Sequence, residues 1–466
     1  MNIRAVLRCL ACVAVLLLAA CGGGGDSSTT TVSGAGLSSL GLSPAVATPF
    51  VQTANNLRVV VQDGPHGFQL GANANVLYAT VTVCVPGGNP ANPTECQTID
   101  HIQVDTGSVG LRVLASKVRG LNLPRVSPSG ADTAWECFPF VIGGLWGQNA
   151  VADVGLGQQT ATRVPVQLIE DNASSSMQPP ADCIKAADGN ILASATALGS
   201  NGILGIGSTT LDCGANCVSG NYISCQIVNG VNTCTGFVQY YSCPQGAANS
   251  GACSATAVPI NMQVYNPIAA LPTAYNNGVV LKMPAVIDPG AATASGELIF
   301  GLDTVQGQTG LSDNHLPPQA TKVVLGTDWQ NQPDSYLNVT TRYNGTTYLS
   351  SYLDTGTNGL FFTDTTLTRC TGSTWYCPRS TLNPSAVISD GDNPALNPVT
   401  VNFQIGNAEA LFSTNNTAFQ DAAGTTPGAA TSFAWGMPFF YGRQVYLSIW
   451  QQVGALTAPW YAWAPL

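Results

Sequence analysis

Residues 103–111 read Gln-Val-Asp-Thr-Gly-Ser-Val-Gly-Leu, and residues 352–360 read Tyr-Leu-Asp-Thr-Gly-Thr-Asn-Gly-Leu. Both stretches follow the pattern Asp-Thr-Gly-(Ser/Thr)-x-Gly-Leu, with the aspartates at Asp105 and Asp354. One Asp-Thr-Gly alone is weak evidence, because Asp-x-Gly is common in turns. Two copies, each preceded by a short apolar run, predict a duplicated unit with one such turn in each half.

The surrounding sequence is typical of an all-β protein. Short runs rich in β-branched residues, such as 57–61, 76–85 and 102–104, are bounded by Gly, Pro, Asn or Asp. The 466 residues include 50 glycines and 29 prolines, which favours many turns. One short helix is expected from Pro267, with Pro272 limiting its length. The predicted fold class is therefore all-β.

Two aspartates brought face to face would form a chemically distinctive pair. Carboxylates about 3 Å apart share one proton, because both cannot ionise comfortably. The ionised member can then take a proton from water, while the protonated member polarises a carbonyl group. Asp105 and Asp354 are therefore the predicted catalytic residues, and this chemistry needs no metal or cofactor.

The three residues after each aspartate are predicted to support the pair. The glycines allow a tight turn that exposes the carboxylate. The hydroxyl that follows each glycine can hydrogen-bond the acid, and the threonine beside each aspartate can join the two turns. These residues are Thr106, Gly107, Ser108, Thr355, Gly356 and Thr357.

Further segments, in the same order along the chain, resemble those of the pepsin-like aspartic peptidases. They look like the family's flap hairpin and its following strand, a first Gly-rich buttress, the strand before the second lobe, and a second buttress. The segments are residues 140–147 (FVIGGLWG), 152–157, 201–207 (NGILGIG), 296–303 and 433–440 (FAWGMPFF). The resemblance implies a bilobal pepsin-like fold with an active-site cleft between two duplicated β lobes.

The resemblance also implies a domain plan and a flap. It places an N-terminal lobe at 51–305, with a Cys-rich insertion at 208–257, and a C-terminal lobe at 306–466. The implied flap and substrate-binding residues are Phe140, Gly143 and Gly144.

The chain departs from the family pattern in this region. Phe140 stands where the family's flap has Tyr, and Arg112 stands where Tyr's Trp partner is often found. The two changes are consistent, since they remove both ends of one hydrogen bond. Met437 also replaces the Asp that usually follows the second buttress glycine.

The first residues resemble a bacterial lipoprotein leader. Arg4 and Arg8 precede an apolar run too short to span a bilayer, and residues 18–21 read Leu-Ala-Ala-Cys. We expect a signal peptide over 1–20, lipidation of Cys21 and a flexible tether over 21–50. This predicts anchoring in the cell envelope, at the outer membrane or periplasmic face of a Gram-negative bacterium. An ordinary signal peptide with an incidental cysteine is the alternative.

The cysteine pattern agrees with export. Without Cys9, Cys12 and Cys21, 12 of the 15 cysteines remain, which predicts six disulfides in an oxidising compartment. Connectivity is open, but four near neighbours can close short loops: Cys84 with Cys96, Cys225 with Cys234, Cys243 with Cys253, and Cys370 with Cys377. With only three histidines and no paired C-x-x-C spacing, a metal site is not expected.

Charge excludes one class of partner and leaves three functions open. With 15 basic residues and a net charge of −10, the chain cannot neutralise many phosphates, so nucleic-acid binding is not expected. The preferred function is an aspartic endopeptidase acting on extended polypeptide, as a monomer. The alternatives are a catalytically inactive pepsin-like lipoprotein that binds peptide or protein, and a surface β-sandwich whose Asp-Thr-Gly motifs are strand-end turns.

Overall fold

The computed structural model describes residues 50–67, 71, 73–172, 177–219, 223–228, 231–236, 238–247, 249–326, 338–425, 431–450 and 458–466. Strands account for 41% of the protein and helices for 9%, which confirms the all-β class. The predicted leader, lipidated Cys21 and tether up to residue 49 lie outside the described residues. No helix within the described ranges is both long and apolar enough to cross a bilayer.

The strands of the described part of the chain are β1 Asn56–Val61, β2 Leu77–Cys84, β3 Cys96–Asp105, β4 Val109–Leu114, β5 Asp132–Phe140, β6 Gly143–Leu156, β7 Gln159–Ile169, β8 Gly202–Ile206, β9 Ile223–Val228, β10 Val231–Gly236, β11 Tyr240–Pro244, β12 Ser254–Ala255, β13 Gly278–Met283, β14 Ala294–Phe300, β15 Thr321–Val324, β16 Val339–Tyr343, β17 Thr346–Leu353, β18 Leu360–Phe361, β19 Ser385–Ser389, β20 Val399–Asn402, β21 Ala423–Gly424, β22 Ala434–Trp435, β23 Arg443–Ser448 and β24 Trp460–Pro465.

The helices in the same ranges are all short. The α-helices are α1 Ala181–Ala186, α2 Ala195–Leu198, α3 Ala215–Ser219, α4 Ala408–Phe412 and α5 Met437–Phe440, and the 3-10 helices are Ala115–Val118, Ser250–Ala252 and Ile260–Met262. The helix expected from Pro267 is wrong, because that segment forms turns instead. Asn266 explains the difference: its side chain accepts from the Ile268 amide and donates to the carbonyls of Gly207 and Thr209.

A large sheet carries the first Asp-Thr-Gly turn. Its order is β12-β11-β5-β6-β7-β4-β8-β3-β2-β1-β14-β13-β23-β24-β15 among the described strands. Strand β8 lies between β3, which runs parallel to it and ends at Asp105, and β4, which runs antiparallel to it. A Cβ on Gly205 of β8 would lie 2.6 Å from the Val109 amide nitrogen, so the turn can close over β8 only at a glycine.

A smaller sheet carries the second turn with the same local topology. Its order among the described strands is β20-β19-β16-β17-β22-β18-β21. Strand β22 pairs in parallel with β17, which leads into Asp354, and antiparallel with β18, which leaves the turn. A Cβ on Gly436, directly after β22, would collide with the carbonyls of Thr357 and Gly359. The sequence repeat therefore corresponds to a repeated strand arrangement.

The hydrophobic core extends across both sheets. One cluster of buried side chains joins residues such as Val104 and Leu204 of the large sheet to Leu353 and Trp435 of the smaller one. The smaller sheet's share is strongly aromatic: the rings of Phe362 and Phe433 stack with centroids 4.4 Å apart. Both Asp turns are thus set on the same packed interior.

Five disulfides lie within the described side chains. Three of the four predicted short loops are confirmed, namely Cys84–Cys96, Cys243–Cys253 and Cys370–Cys377. Cys225 lies opposite Cys234 in the β9–β10 ladder, and their bonding stays a prediction. The bonds Cys137–Cys183 and Cys213–Cys217 were not foreseen.

Candidate functional site

The structure brings Asp105 and Asp354 together, each almost fully buried, with 6% and 9% of its surface exposed. The glycine of each turn abuts the carboxyl group of the other. A Cβ on Gly107 would lie 2.7 Å from Cγ of Asp354, and one on Gly356 would lie 2.7 Å from Cγ of Asp105. Two glycines are therefore required at these positions, since any side chain would push the carboxyl groups apart.

The two carboxyl groups have matching hydrogen-bond donors. Asp105 accepts from the Gly107 amide at 2.8 Å and from Ser108 Oγ at 2.6 Å. Asp354 accepts from the amide of Gly356 at 2.7 Å and from Oγ1 of Thr357 at 2.5 Å. One oxygen of each carboxyl is bound by backbone and the other by a hydroxyl, which fixes the plane of both groups.

The remaining two support residues form a reciprocal link between the turns. The Thr106 amide donates to Thr355 Oγ1 at 3.1 Å, and the Thr355 amide donates to Thr106 Oγ1 at 3.0 Å. Each hydroxyl also donates to the far strand, Thr106 to the Leu353 carbonyl and Thr355 to the Val104 carbonyl. Both threonines are at most 2% exposed. The two turns are thus bound to each other by four buried hydrogen bonds.

Burial dominates the electrostatics of the pair. The pKa of Asp354 is raised well above its usual value, first by desolvation, then by the charge of Asp105 and by a hydrogen bond with it. The bonds from Thr357 and Gly356 act in the opposite direction and do not overcome the rise. Burial beside a second carboxyl group therefore favours the protonated form of Asp354.

The predicted flap residues lie in the β5–β6 hairpin. Phe140 packs against a cluster that includes Leu114 of β4 and Ile203 of β8, the two strands that hold the Asp105 turn. Gly143 has φ +150°, and Gly144 bridges to Ile191 on the outer side of the hairpin. The turn residues between Phe140 and Gly143, Val141 and Ile142, are 88% and 66% exposed. The hairpin is thus packed as far as the residues that flank its turn, and the turn itself is exposed and apolar.

Arg112 has a role that the sequence interpretation missed. It is fully buried in β4, and its Nη2 donates to Glu136 at 2.8 Å and to Asp212 at 3.0 Å. Its guanidinium also lies 3.8 Å from the ring centre of Phe138. Arg112 therefore connects β4 to the hairpin through an ion pair with Glu136 and a cation–π contact with Phe138, in place of the Tyr–Trp hydrogen bond of the family pattern. The sequence did contain a signal for this contact. Arg112 lies within the apolar strand VGLRVL and Glu136 within the apolar stretch TAWECFPF, and buried charges of opposite sign are expected to pair.

Another group of potential ligand atoms lies away from the pair. Cys370, Cys377 and Glu409 approach within 4.8 Å of one another in the described part of the chain. Both cysteines are joined in a disulfide, so their sulfurs are not thiolate ligands. This group is therefore interpreted as a structural loop closure.

Comparison with known proteins corrects the family expected from the motifs. Residues 51–463 match a family described as Protein of unknown function (DUF3443), and a search of curated proteins found no match. The expected membership of the pepsin-like aspartic peptidases is therefore wrong. The motifs that suggested it are short and Gly-rich, and most of their glycines are required by local packing, so such segments carry little family information. Since the match covers nearly its whole length, the chain belongs to the family described as Protein of unknown function (DUF3443).

Proposed function

We propose that the protein is an aspartic-type endopeptidase that hydrolyses extended polypeptide with Asp105 and Asp354. The observation that carries this proposal is the close approach of two buried carboxyl groups, each with its own amide and hydroxyl donor. Eight residues build the pair, four consecutive ones in each turn: residues 105–108 and residues 354–357.

The two carboxyl groups divide the acid and base roles. Asp105, ionised, takes a proton from a water molecule, and the resulting hydroxide attacks the carbonyl carbon of the scissile bond. Asp354, whose raised pKa keeps it protonated, donates its proton to the carbonyl oxygen. The tetrahedral intermediate, which carries two hydroxyl groups, then breaks its C–N bond as the proton on Asp105 passes to the leaving amine. The proton of one hydroxyl group returns to Asp354, and a carboxylic acid is left.

A purely structural role for the pair is physically less favourable. Burying two adjacent acids costs free energy, which appears here as the raised pKa of Asp354. Asparagine could accept the backbone bond through Oδ1 and donate from Nδ2 to the hydroxyl oxygen at each turn, without introducing charge. Two acids at these positions are therefore better explained by chemistry that uses a shared proton.

The proposal includes the wider arrangement expected from the sequence. We infer two lobes, 51–305 and 306–466, with the carboxyl pair in a cleft between them. The enzyme would be a monomer tethered to the cell envelope through lipid on Cys21, acting on unfolded or extended chains and not on nucleic acid.

The decisive experiment compares the full-length protein with single Asp105→Asn and Asp354→Asn variants on a carboxymethylated, unfolded protein between pH 3 and pH 7. We expect wild-type cleavage to fall by about a thousandfold or more in either variant. Activity should decline as pH rises through the elevated pKa of Asp354, because the acid loses its proton.

Asp188→Asn serves as the matched control, because Asp188 is an exposed aspartate after α1. It should retain wild-type activity. A folded wild-type protein that cleaves no faster than both active-site variants at every pH would overturn the proposal.

A second candidate is capture of peptide or protein without turnover. The exposed apolar tip at Val141 and Ile142 favours it, since such a tip can contact a ligand directly. Binding of the unfolded protein without cleavage, retained when both aspartates are replaced, would identify this function instead.

A further inference from the structure

A second group of buried charges lies beside the site, on the strand that leaves the Asp105 turn. Strand β4 begins at Val109, and all six of its residues are buried. The side chains of Arg112, Glu136 and Asp212 are each 0% exposed, although they come from β4, β5 and the Cys-rich insertion. We call these three residues the Arg112 cluster.

The guanidinium of Arg112 contacts all three of these segments. Its Nη1 donates to the Val109 carbonyl at the end of the Asp105 turn. Its Nη2 donates to both carboxylates of the cluster, and its plane covers the ring of Phe138. Glu136 and Phe138 lie two residues apart on β5, so the hairpin strand is held by one ion pair and one cation–π contact.

Neighbouring polar groups complete the Arg112 cluster. Gln239 Nε2 donates to Glu136 at 3.2 Å and to Asp212 at 3.0 Å, while the Tyr240 hydroxyl donates to Asp212 at 2.9 Å. The Tyr240 hydroxyl in turn accepts from the Val264 amide at 2.8 Å. The pKa of Asp212 is raised well above its usual value, first by burial and then by the neighbouring Glu136.

Net stability does not explain such a cluster. A buried ion pair often contributes no more than well-packed apolar residues of the same size, because desolvation offsets the attraction. What it does provide is a fixed geometry, since its hydrogen bonds are directional. Here that geometry relates the hairpin to the strand that carries the Asp105 turn.

The hairpin is also fixed on its outer side. Cys137 of β5 is bonded to Cys183 of α1, and the Gly144 amide donates to the Asn190 carbonyl at 2.8 Å. Asn190 Nδ2 donates to the Ile142 carbonyl at 2.6 Å. The Arg112 cluster is the attachment on the side of β4, so the hairpin is held from both sides.

We propose that Arg112 is a positioning residue that fixes the β5–β6 hairpin relative to the Asp105 turn. The effect on peptide hydrolysis rests on the proposed endopeptidase function, whereas the effect on hairpin order does not. An apolar hairpin held in this way presents a constant surface to an extended peptide instead of closing over it. The substrates that suit it are peptides with apolar side chains facing Val141 and Ile142.

The test uses a full-length double variant, Arg112→Met with Glu136→Gln, which removes one basic and one acidic group together. Amide hydrogen exchange of residues 138–145 should accelerate about tenfold relative to the rest of the chain. If the protein cleaves peptide, kcat/KM should fall about tenfold to a hundredfold, because the hairpin no longer holds its position. An Arg112→Lys variant with Glu136 retained should keep part of the protection.

Arg443→Met is the matched control, since Arg443 is also buried and lies over the ring of Phe439 at 4.8 Å. It should leave exchange of residues 138–145 unchanged. A folded double variant with wild-type hairpin exchange, or one whose exchange rises equally throughout the chain, overturns the positioning role. Wild-type protein without any peptidase activity would instead refute the proposed function, and the exchange result would still decide the role of Arg112.

Discussion

At Thr106 and Thr355, a small side chain has two separate roles. Each hydroxyl accepts a hydrogen bond from the opposite backbone amide and donates one to the opposite strand. Serine has the same hydroxyl, but the β-branch of threonine restricts χ1 and so holds the geometry with less loss of entropy. The positions of the two turns, and therefore of the carboxyl groups of Asp105 and Asp354, are fixed relative to each other by these bonds.

A double-mutant cycle of Thr106→Val and Thr355→Val measures that link. Each single variant leaves buried amide and carbonyl groups without partners and should cost about 1–3 kcal/mol in the free energy of unfolding. The double variant should cost clearly less than the two single losses added together, because each single loss loosens the same junction and so weakens the two bonds that remain. Urea denaturation supplies the values, and strict additivity would contradict a reciprocal link.

Among the elements, the β5–β6 hairpin depends on partners that are distant in sequence. Its first strand pairs with β11 of the Cys-rich insertion, from Tyr240 opposite Glu136 to Pro244 opposite Asp132. Its far side is joined to α1 by the bond between Cys137 and Cys183. The insertion and α1 therefore act as a frame for the hairpin.

Removal of that disulfide tests the frame. The paired variant Cys137→Ser with Cys183→Ser opens a link across 46 residues and should cost about 2–4 kcal/mol in stability. Hydrogen exchange should increase first in residues 138–145. The paired serine variant of Cys370 and Cys377, which spans only 7 residues, is the control and should cost less and leave the hairpin protected. Equal losses in both variants, with no change in the hairpin, would count against this role.

On the scale of the whole molecule, several buried acids make the free energy of unfolding decrease as the pH rises. The pKa values of Asp354 and Asp212 are raised well above normal, and burial raises the pKa of Asp421 from 3.8 to about 6. Each folded acid thus keeps a proton that the unfolded chain has already released. Their contribution to stability is full below about pH 4 and is lost as pH rises through the folded pKa.

Asp421 offers the cleanest measurement, because it is 2% exposed, its Oδ2 has no hydrogen-bond partner, and it lies outside the carboxyl pair. Relative to wild type, Asp421→Asn should gain about 3 kcal/mol in unfolding free energy between pH 4 and pH 7. Urea midpoints across this range give the difference. Asp188→Asn should track wild type, and a parallel pH dependence of Asp421→Asn and wild type would refute the assignment.

The nine-residue repeats were sufficient to predict the two turns. Asp, Gly and a hydroxyl at fixed spacing determine a turn locally, so Asp105, Asp354 and their supporting residues could be named from the sequence. The all-β class and three short disulfide loops were also predictable, because alternating β-branched runs and near-neighbour cysteines act over short distances. The turns at Pro267 were not, since they depend on where the side chain of Asn266 points.

Only the tertiary structure decided how these parts meet. The Arg112 cluster joins residues 24 and 100 positions apart, and no local pattern states which strands will be neighbours. The same holds for the bond between Cys137 and Cys183. The sequence by itself thus determined the two Asp turns and the strand class, because these follow from backbone conformation over a few residues. Their mutual approach and the fixing of the hairpin depend on strand order and register, which only the packed chain defines.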